Sequence, residues 1–211
     1  MSGTPEPGGR LRLILASASP RRSALLSGLG ISHQVRPAQV DETPLSGESP
    51  SELTERLARA KAEAVSAETG GVPVLGGDTV VALGRQILGK PRDSDDAVAM
   101  LLSLSGRDHN VHTGLALARM DPATGLRVVS GVQVTRVRFR SFSEEEARGY
   151  ALTGEPLDKA GAYGIQGLGA TLVDGIEGDY SAVVGLAIPL LIRLLREVGR
   201  PYRFPPSVPG R

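Results

Sequence analysis

Short apolar runs alternate along this chain with segments of helical period, and the alternation predicts its elements. Leu11 to Ala16 is an apolar run of strand length. Ser19-Pro20 reads as a helix N-cap followed by proline at the first helical position, with Gly28 and Gly30 ending the helix. Ile31 to Val40 reads as extended. Ser49-Pro50-Ser51-Glu52 is a capping box, and Leu53, Leu57, Ala60 and Ala64 follow at helical spacing. Val72 to Gly76 reads as a strand with Asp78-Thr79 at its end, and the segments before and after Gly84-Arg85 as a hairpin. A helix is predicted from about Ser94 to Gly106, and strands over Val111–Ala118 and the valine-rich Leu126–Phe139. Ser143–Glu146 is a second capping box opening a helix to about Leu152, and a last helix covers about Ala187–Val198. Helices and strands interleave, so the predicted class is α/β or α+β with a mixed sheet.

The ends differ from the middle. Residues 1–10 are Gly/Pro-rich and predicted to be disordered, and residues 200–211, with four prolines and no period, are predicted to be a flexible tail. Residues 11–199 remain as a single domain, long enough to bury a core without disulfide or metal staples. The longest apolar stretch, Ala182 to Ile192, falls short of a membrane span, so a soluble, cytoplasmic protein with no membrane partner is expected.

Composition removes further classes. The 24 basic residues nearly cancel the 23 acidic ones, so no global field favours a nucleic acid polymer. With no cysteine, disulfides, thiolate metal sites and cysteine nucleophiles are excluded. Aromatics are 3% of the chain and tryptophan is absent, which disfavours a base-stacking platform. The 27 glycines mean either loose ends or tight loops around a site.

Four constellations carry candidate chemistry. In Ser17-Ala18-Ser19-Pro20-Arg21-Arg22, two arginines occupy a helix's first turn, where the macrodipole disfavours cations. Either the turn is simply solvated, or a phosphate is bound by Arg21, Arg22, the free amides and the hydroxyls of Ser17 and Ser19. In Gly76-Gly77-Asp78-Thr79, Asp78 is a candidate metal ligand or general base, or a turn aspartate. Gly84 to Lys90 fits the phosphate-loop spacing, but Pro91 stands where a hydroxyl must ligate magnesium, which leaves Lys90 as a lone cation. Residues 154–167 set acids, Lys159, Tyr163 and Gln166 among glycines, as a binding loop or a solvated one, and the Gln166 amide suits a base edge. The glycines at 76–77 and 154–178 read as places where backbone approaches a ligand. His109 and His112 fall on opposite sides of a strand and make a poor metal pair, and Arg136, Arg138 and Arg140 read as a solvated strand face.

Taken together, Ser-x-Ser-Pro-Arg-Arg, Asp41-Glu42, Arg56 and Lys61, Gly-Gly-Asp-Thr, Gly89-Lys90-Pro91 and the 154–167 loop resemble the Maf nucleotide pyrophosphatases, in order from about Leu11 to Glu197. The resemblance implies an inosine-triphosphatase-like fold: an elongated, curved mixed sheet flanked by helices, with two lobes and a central cleft. It implies hydrolysis of nucleoside triphosphates to monophosphate and pyrophosphate with a divalent cation, Mg2+ or Mn2+, in a housecleaning role with a link to septum formation. By position, Asp78 matches the proton acceptor, and Arg21, Thr79 and Gln166 match positions tied to substrate choice. Arg22, Lys61 and Lys90 match other substrate-binding positions, and Glu42 with Asp78 would hold the metal. Thr79 together with Gln166 resembles the subgroup preferring dTTP and UTP. A 7-methyl-GTP pyrophosphatase and a non-enzymatic nucleotide-binding regulator of division are the alternatives. A homodimer is implied by the resemblance alone.

Overall fold

A computed structural model of the chain describes residues 11–121 and 123–205. The predicted disorder of residues 1–10 and the end of the predicted tail lie outside these. In chain order the elements are β1 (Arg12–Leu15), α1 (Pro20–Gly28), β2 (Ser32–Val35), α2 (Pro50–Ser66), β3 (Val74–Leu83), β4 (Gln86–Leu88) and α3 (Ser94–Leu104). There follow β5 (Asp108–Asp121), β6 (Gly125–Phe139), α4 (Glu144–Ala151), three short 3-10 turns, β7 (Val173–Glu177), α5 (Tyr180–Val184) and α6 (Ile188–Glu197). Ser19 caps α1, and Ser49 and Ser143 close capping boxes with Glu52 and Glu146, each satisfying amides left free at a helix start.

The expected mixed sheet is present. Its strand order is β2-β1-β3-β5-β6-β7, with β4 also pairing β3. β1 runs parallel to β2 and β3, and every other pairing is antiparallel. The period-two alternation of the strands divides the core between two faces. On one face α1 and α6 pack against Leu13, Leu15, Leu75, Leu115 and Leu117. On the other, α2 packs against Ile14, Ala16, Val74, Ala116 and Ala118. A third cluster around Val81, Val111, Phe139 and Tyr163 joins α3 and α4 to the far end of β3, β5 and β6.

The α2 face is built from small residues because the helix lies almost on the sheet. A Cβ at Gly76 would stand 2.0 Å from the Ala58 carbonyl oxygen, and one at Gly114 would stand 2.3 Å from that of Thr54. Gly76 therefore admits a helix, and the sequence expectation of close ligand approach is corrected at that position.

The strand carrying Asp78 also differs from expectation. β3 is one continuous ten-residue strand, with Asp78 and Thr79 in its interior, paired with Gly114 and Thr113 of β5. Its other edge is shared. β1 pairs only with Val74 and Leu75, and β4 only with Val81 to Leu83. Residues 76–80 thus face a gap on that edge, just beyond the carboxyl end of β1, where ligand crevices form in open α/β sheets.

Sequence reasoning left residues 153–186 without elements, yet they hold β7, α5 and the 3-10 turns. β7 pairs with β6 through a register shift at Arg138/Phe139, so its short, irregular pattern carries no clear period. Residues 200–205 form neither helix nor strand, but the Tyr202 hydroxyl donates to the Leu29 carbonyl at 2.8 Å and its ring packs on the α1–α6 cluster. His109 and His112 face different neighbours, Tyr163 at 2.8 Å and Ser51 at 2.9 Å. Arg136 and Arg138 lie on the exposed face of β6 with Arg140 just beyond it, and the three pair with Glu177, Asp174 and Glu146.

Candidate active site

Asp78 and Thr79 are consecutive in a pleated strand, so they address opposite faces of the sheet. Asp78 faces α2. The Lys61 ammonium, buried at 8% exposure, donates to Asp78 Oδ1 at 2.8 Å. The same ammonium lies 2.6 Å from Glu42 Oε1. The close seating of α2 on Gly76 and Gly114 brings Lys61 within reach.

Glu42 arrives on an irregular segment between β2 and α2, which Arg56 of α2 holds down. Arg56 Nε donates to Glu48 Oε1 at 2.6 Å, and its Nη2 donates to Glu48 Oε2 at 2.8 Å and to the Thr43 carbonyl at 3.1 Å. Such a two-pronged fork fixes direction as well as distance. The Arg56 guanidinium holds the Glu48 carboxyl down to about 2.

Thr79 faces α1 and Arg22. The Arg22 guanidinium is buried and spans three acceptors: Gly185 carbonyl at 2.7 Å, Ser17 Oγ at 2.8 Å and Thr79 Oγ1 at 3.0 Å. Gly77 makes room, since a Cβ there would stand 3.0 Å from Arg22 Nε. Burial pushes the Arg22 pKa down, with the Asp78 charge opposing. Among the described residues no carboxylate touches this guanidinium. A buried cation without a contact counter-ion is a place for an anion.

The hydroxyl protons can be assigned. Thr113 Oγ1 donates to the Ala182 carbonyl at 2.8 Å, so Thr79 donates to Thr113 at 3.1 Å and accepts from Arg22. Thr79 therefore offers the cleft a lone pair. Ser17 Oγ accepts from Arg22 and from the Ser19 amide, and Ser19 Oγ accepts from the Arg22 amide as cap. Both serine protons are left for a ligand.

At the mouth, Arg21 Nη1 reaches across to Asp158 Oδ2 at 3.0 Å. Lys90 and Gln166 are exposed on the rim. The cleft has a volume of about 740 Å³, large enough for a nucleotide, and Ser17, Ser19, Arg21, Arg22, Glu42, Lys61, Asp78, Thr79, Lys90 and Gln166 all line it, whereas Asp41 and Arg56 do not. In the segment from Gly84 to Lys90, Gly84-Arg85 is the turn between β3 and β4, Gln86–Leu88 is β4, and Gly89-Lys90 follow it, so it is a hairpin and not a phosphate loop. Sequence reasoning missed Glu48, whose pairing with Arg56 gives no local pattern, and Tyr150, and it gave Glu155 no role beyond membership of the 154–167 loop.

Among the described residues no group of three or more His, Asp or Glu side chains could hold a metal ion by itself. Two carboxylates, Glu42 and Asp78, do converge on one point, the Lys61 ammonium. Magnesium commonly uses one or two carboxylates and completes its shell with water and substrate phosphate oxygens. The donor set fits a cation that arrives with a polyphosphate.

Fold and site together define a mixed α/β protein whose cleft gathers cations from both faces of a sheet around one strand-borne carboxylate. The chain belongs to the Maf family: the family described as Maf-like protein matches residues 12–198. It is 51% identical to the dTTP/UTP pyrophosphatase of Myxococcus xanthus (strain DK1622) over 189 residues, 90% of this chain and 93% of that protein. It is 47% identical to the dTTP/UTP pyrophosphatase of Hahella chejuensis (strain KCTC 2396) over 194 residues, 90% and 94% of the two chains. Among solved structures, the Staphylococcus aureus Ham1 protein aligns over 60% of this chain and 71% of its own, at 15% identity and a TM-score of 0.39.

Proposed function

We propose that this chain hydrolyses nucleoside triphosphates, with dTTP and UTP preferred, to the monophosphate and pyrophosphate. The observation carrying this reading is the arrangement around residues 76–80. Asp78 sits in an open strand edge with Lys61 on one face and, on the other, Arg22, which no carboxylate among the described residues touches. The names of the relatives at about half identity support the same activity and substrates.

Asp78 orients a water and accepts its proton as the oxygen attacks the α-phosphorus. The bond from that phosphorus to the bridging oxygen breaks, and the electron pair leaves with pyrophosphate. Arg22, Arg21, Lys61 and Lys90 offset the charge on the phosphate oxygens, and the Ser17 and Ser19 hydroxyls donate to them. A divalent cation, Mg2+ or Mn2+, held by Glu42 and Asp78, would supply further neutralisation of the phosphates when bound. The Gln166 amide reads a pyrimidine edge through its paired donor and acceptor, with Arg21 and Thr79 contributing to the choice.

Pyrophosphate release from a panel of nucleotides, with magnesium or manganese, tests this. UTP and dTTP should be the best substrates, and Asp78→Asn should cut release by roughly 10²–10⁴-fold. Equal release by wild type and variant would remove Asp78 as base. Activity confined to 7-methyl-GTP would overturn the substrate, and binding without hydrolysis would make the protein a sensor.

A further inference from the structure

Behind the cleft, outside its lining, Glu155 and Tyr150 form a polar knot. Glu155 Oε1 accepts from the Tyr150 hydroxyl at 2.9 Å and from the Gly169 amide at 3.1 Å, and Oε2 accepts from the Leu168 amide at 3.1 Å. The Tyr150 oxygen in turn accepts from the Gly164 amide at 3.0 Å. The amides at 164, 168 and 169 bracket Gln166 on both sides. All three end on this one carboxylate–phenol pair.

The glycines of the segment are shaped around the same pair. A Cβ at Gly167 would stand 2.9 Å from Glu155 Oε2, and one at Gly169 would stand 2.5 Å from the Tyr150 hydroxyl. Gly167 also has φ +75°, a left-handed conformation that a side chain would strain. The loop therefore wraps a carboxylate from its own turn, with Gly167 seated against that carboxylate and Gly169 against both the Gly164 carbonyl, 2.3 Å from a Cβ there, and the Tyr150 hydroxyl. The three hydrogen bonds outweigh burial and hold the Glu155 carboxyl below its ordinary value, so it stays an acceptor. Burial raises Tyr150, so it stays a donor. Gln166, by contrast, is exposed to the cleft, and among the described residues no hydrogen bond to its side chain is present. Its direction has to come from the backbone on either side.

We infer that Glu155 and Tyr150 are positioning residues for substrate choice: they clamp residues 164–169 so that the Gln166 amide meets the base in one orientation. This rests on the proposed pyrophosphatase reading for its kinetic consequence, though not for the clamp itself. Neither residue lines the cleft, so their loss acts through Gln166.

The test uses Glu155→Gln and Tyr150→Phe in the full chain, each checked by thermal melting. Glu155→Gln replaces one acceptor oxygen with a donor that faces an amide, and Tyr150→Phe removes the bond to Gly164. For each, kcat and KM are measured with UTP and with GTP. KM for UTP should rise about tenfold with kcat nearly unchanged, and the preference for UTP over GTP should fall by a similar factor. The double variant should be no worse than the weaker single, because one unit is broken either way. Folded variants that keep the UTP preference would overturn the inference. Amide hydrogen exchange gives an independent readout. Protection at 164, 168 and 169 should fall in Glu155→Gln while the sheet keeps its own, and unchanged protection there would refute the clamp. If the wild type hydrolyses no nucleotide, the pyrophosphatase reading fails and the exchange data still decide the clamp. Should Glu155→Gln not fold, Tyr150→Phe, the smaller change, carries both measurements.

Discussion

Lys61 of α2 and Asp78 of β3, 17 residues apart in sequence, meet at 2.8 Å, and the same ammonium reaches Glu42 at 2.6 Å. The contact exists because α2 is seated directly on Gly76 and Gly114. Lys61→Met should therefore damage the same step as Asp78→Asn. Each should lower kcat by roughly 10²–10⁴-fold, the usual worth of a positioned base. The double variant should be worse than either single by less than the product of the two losses, because part of what Lys61 does is done through the Asp78 carboxylate. Additive losses in pyrophosphate release would show that Lys61 acts on its own.

The seat of α2 predicts a stability contrast between glycines. Gly76→Ala places a methyl 2.0 Å from a backbone oxygen, so something must shift. Overpacking of this kind costs about 1–3 kcal/mol or more, with the helix displaced from Asp78 as well. Gly28, last residue of α1, has nothing within 4 Å of a Cβ. Gly28→Ala should be neutral or stabilising by up to about 1 kcal/mol. Urea unfolding of the two variants measures the difference, and equal midpoints would contradict the packing account.

At the cleft mouth, Asp158 pairs with Arg21, which the proposed function assigns to a phosphate. The pair is well exposed, with side chains 32% and 61% accessible. Asp158→Asn should leave stability within about 0.5 kcal/mol, as for other exposed ion pairs. It should lower KM for the triphosphate about threefold, since Arg21 is released and one repelling charge is gone. The effect should shrink as salt is added. A rise in KM would mean that Asp158 holds Arg21 in place for the substrate.

His109 sets a pH dependence away from the cleft. Burial pushes its imidazole down to about 4 from an ordinary 6.5, at 2% exposure. The unfolded chain then binds the proton first as pH falls. Stability is therefore fully present above 6.5 and drains as pH falls towards 4, by about 3 kcal/mol in all. His112, also lowered by burial, adds in the same direction. Denaturant unfolding at several pH values across that window should show the slope, and His109→Phe should flatten it. An unchanged slope in the variant would assign the loss to other groups.

The legible part of this protein was local. Ser19-Pro20, Ser49 with Glu52, and Ser143 with Glu146 announce helix starts because a cap and its partner lie within one turn. The valine-rich β6 and the apolar β1 announce strands by composition and period. Arg21 and Arg22 stood out because they oppose a helix dipole within the same turn. Asp78 stood out for its place between apolar segments, although its position inside β3 was misjudged.

The sequence by itself thus determined most of the elements, several of their caps and the charged groups available for chemistry, but not β7, α5 or the full length of β3. Tertiary structure decided what those groups face. The opening at residues 76–80 exists because β1 and β4 share one edge of β3 and neither covers its middle. The Lys61–Glu42 contact, the Arg56 fork on Glu48 and the Glu155 knot around the Gln166 loop likewise join residues that share no helical or strand period. A period reports which side of an element is buried. It does not report which other element will lie against that side, and in this protein that pairing makes the site.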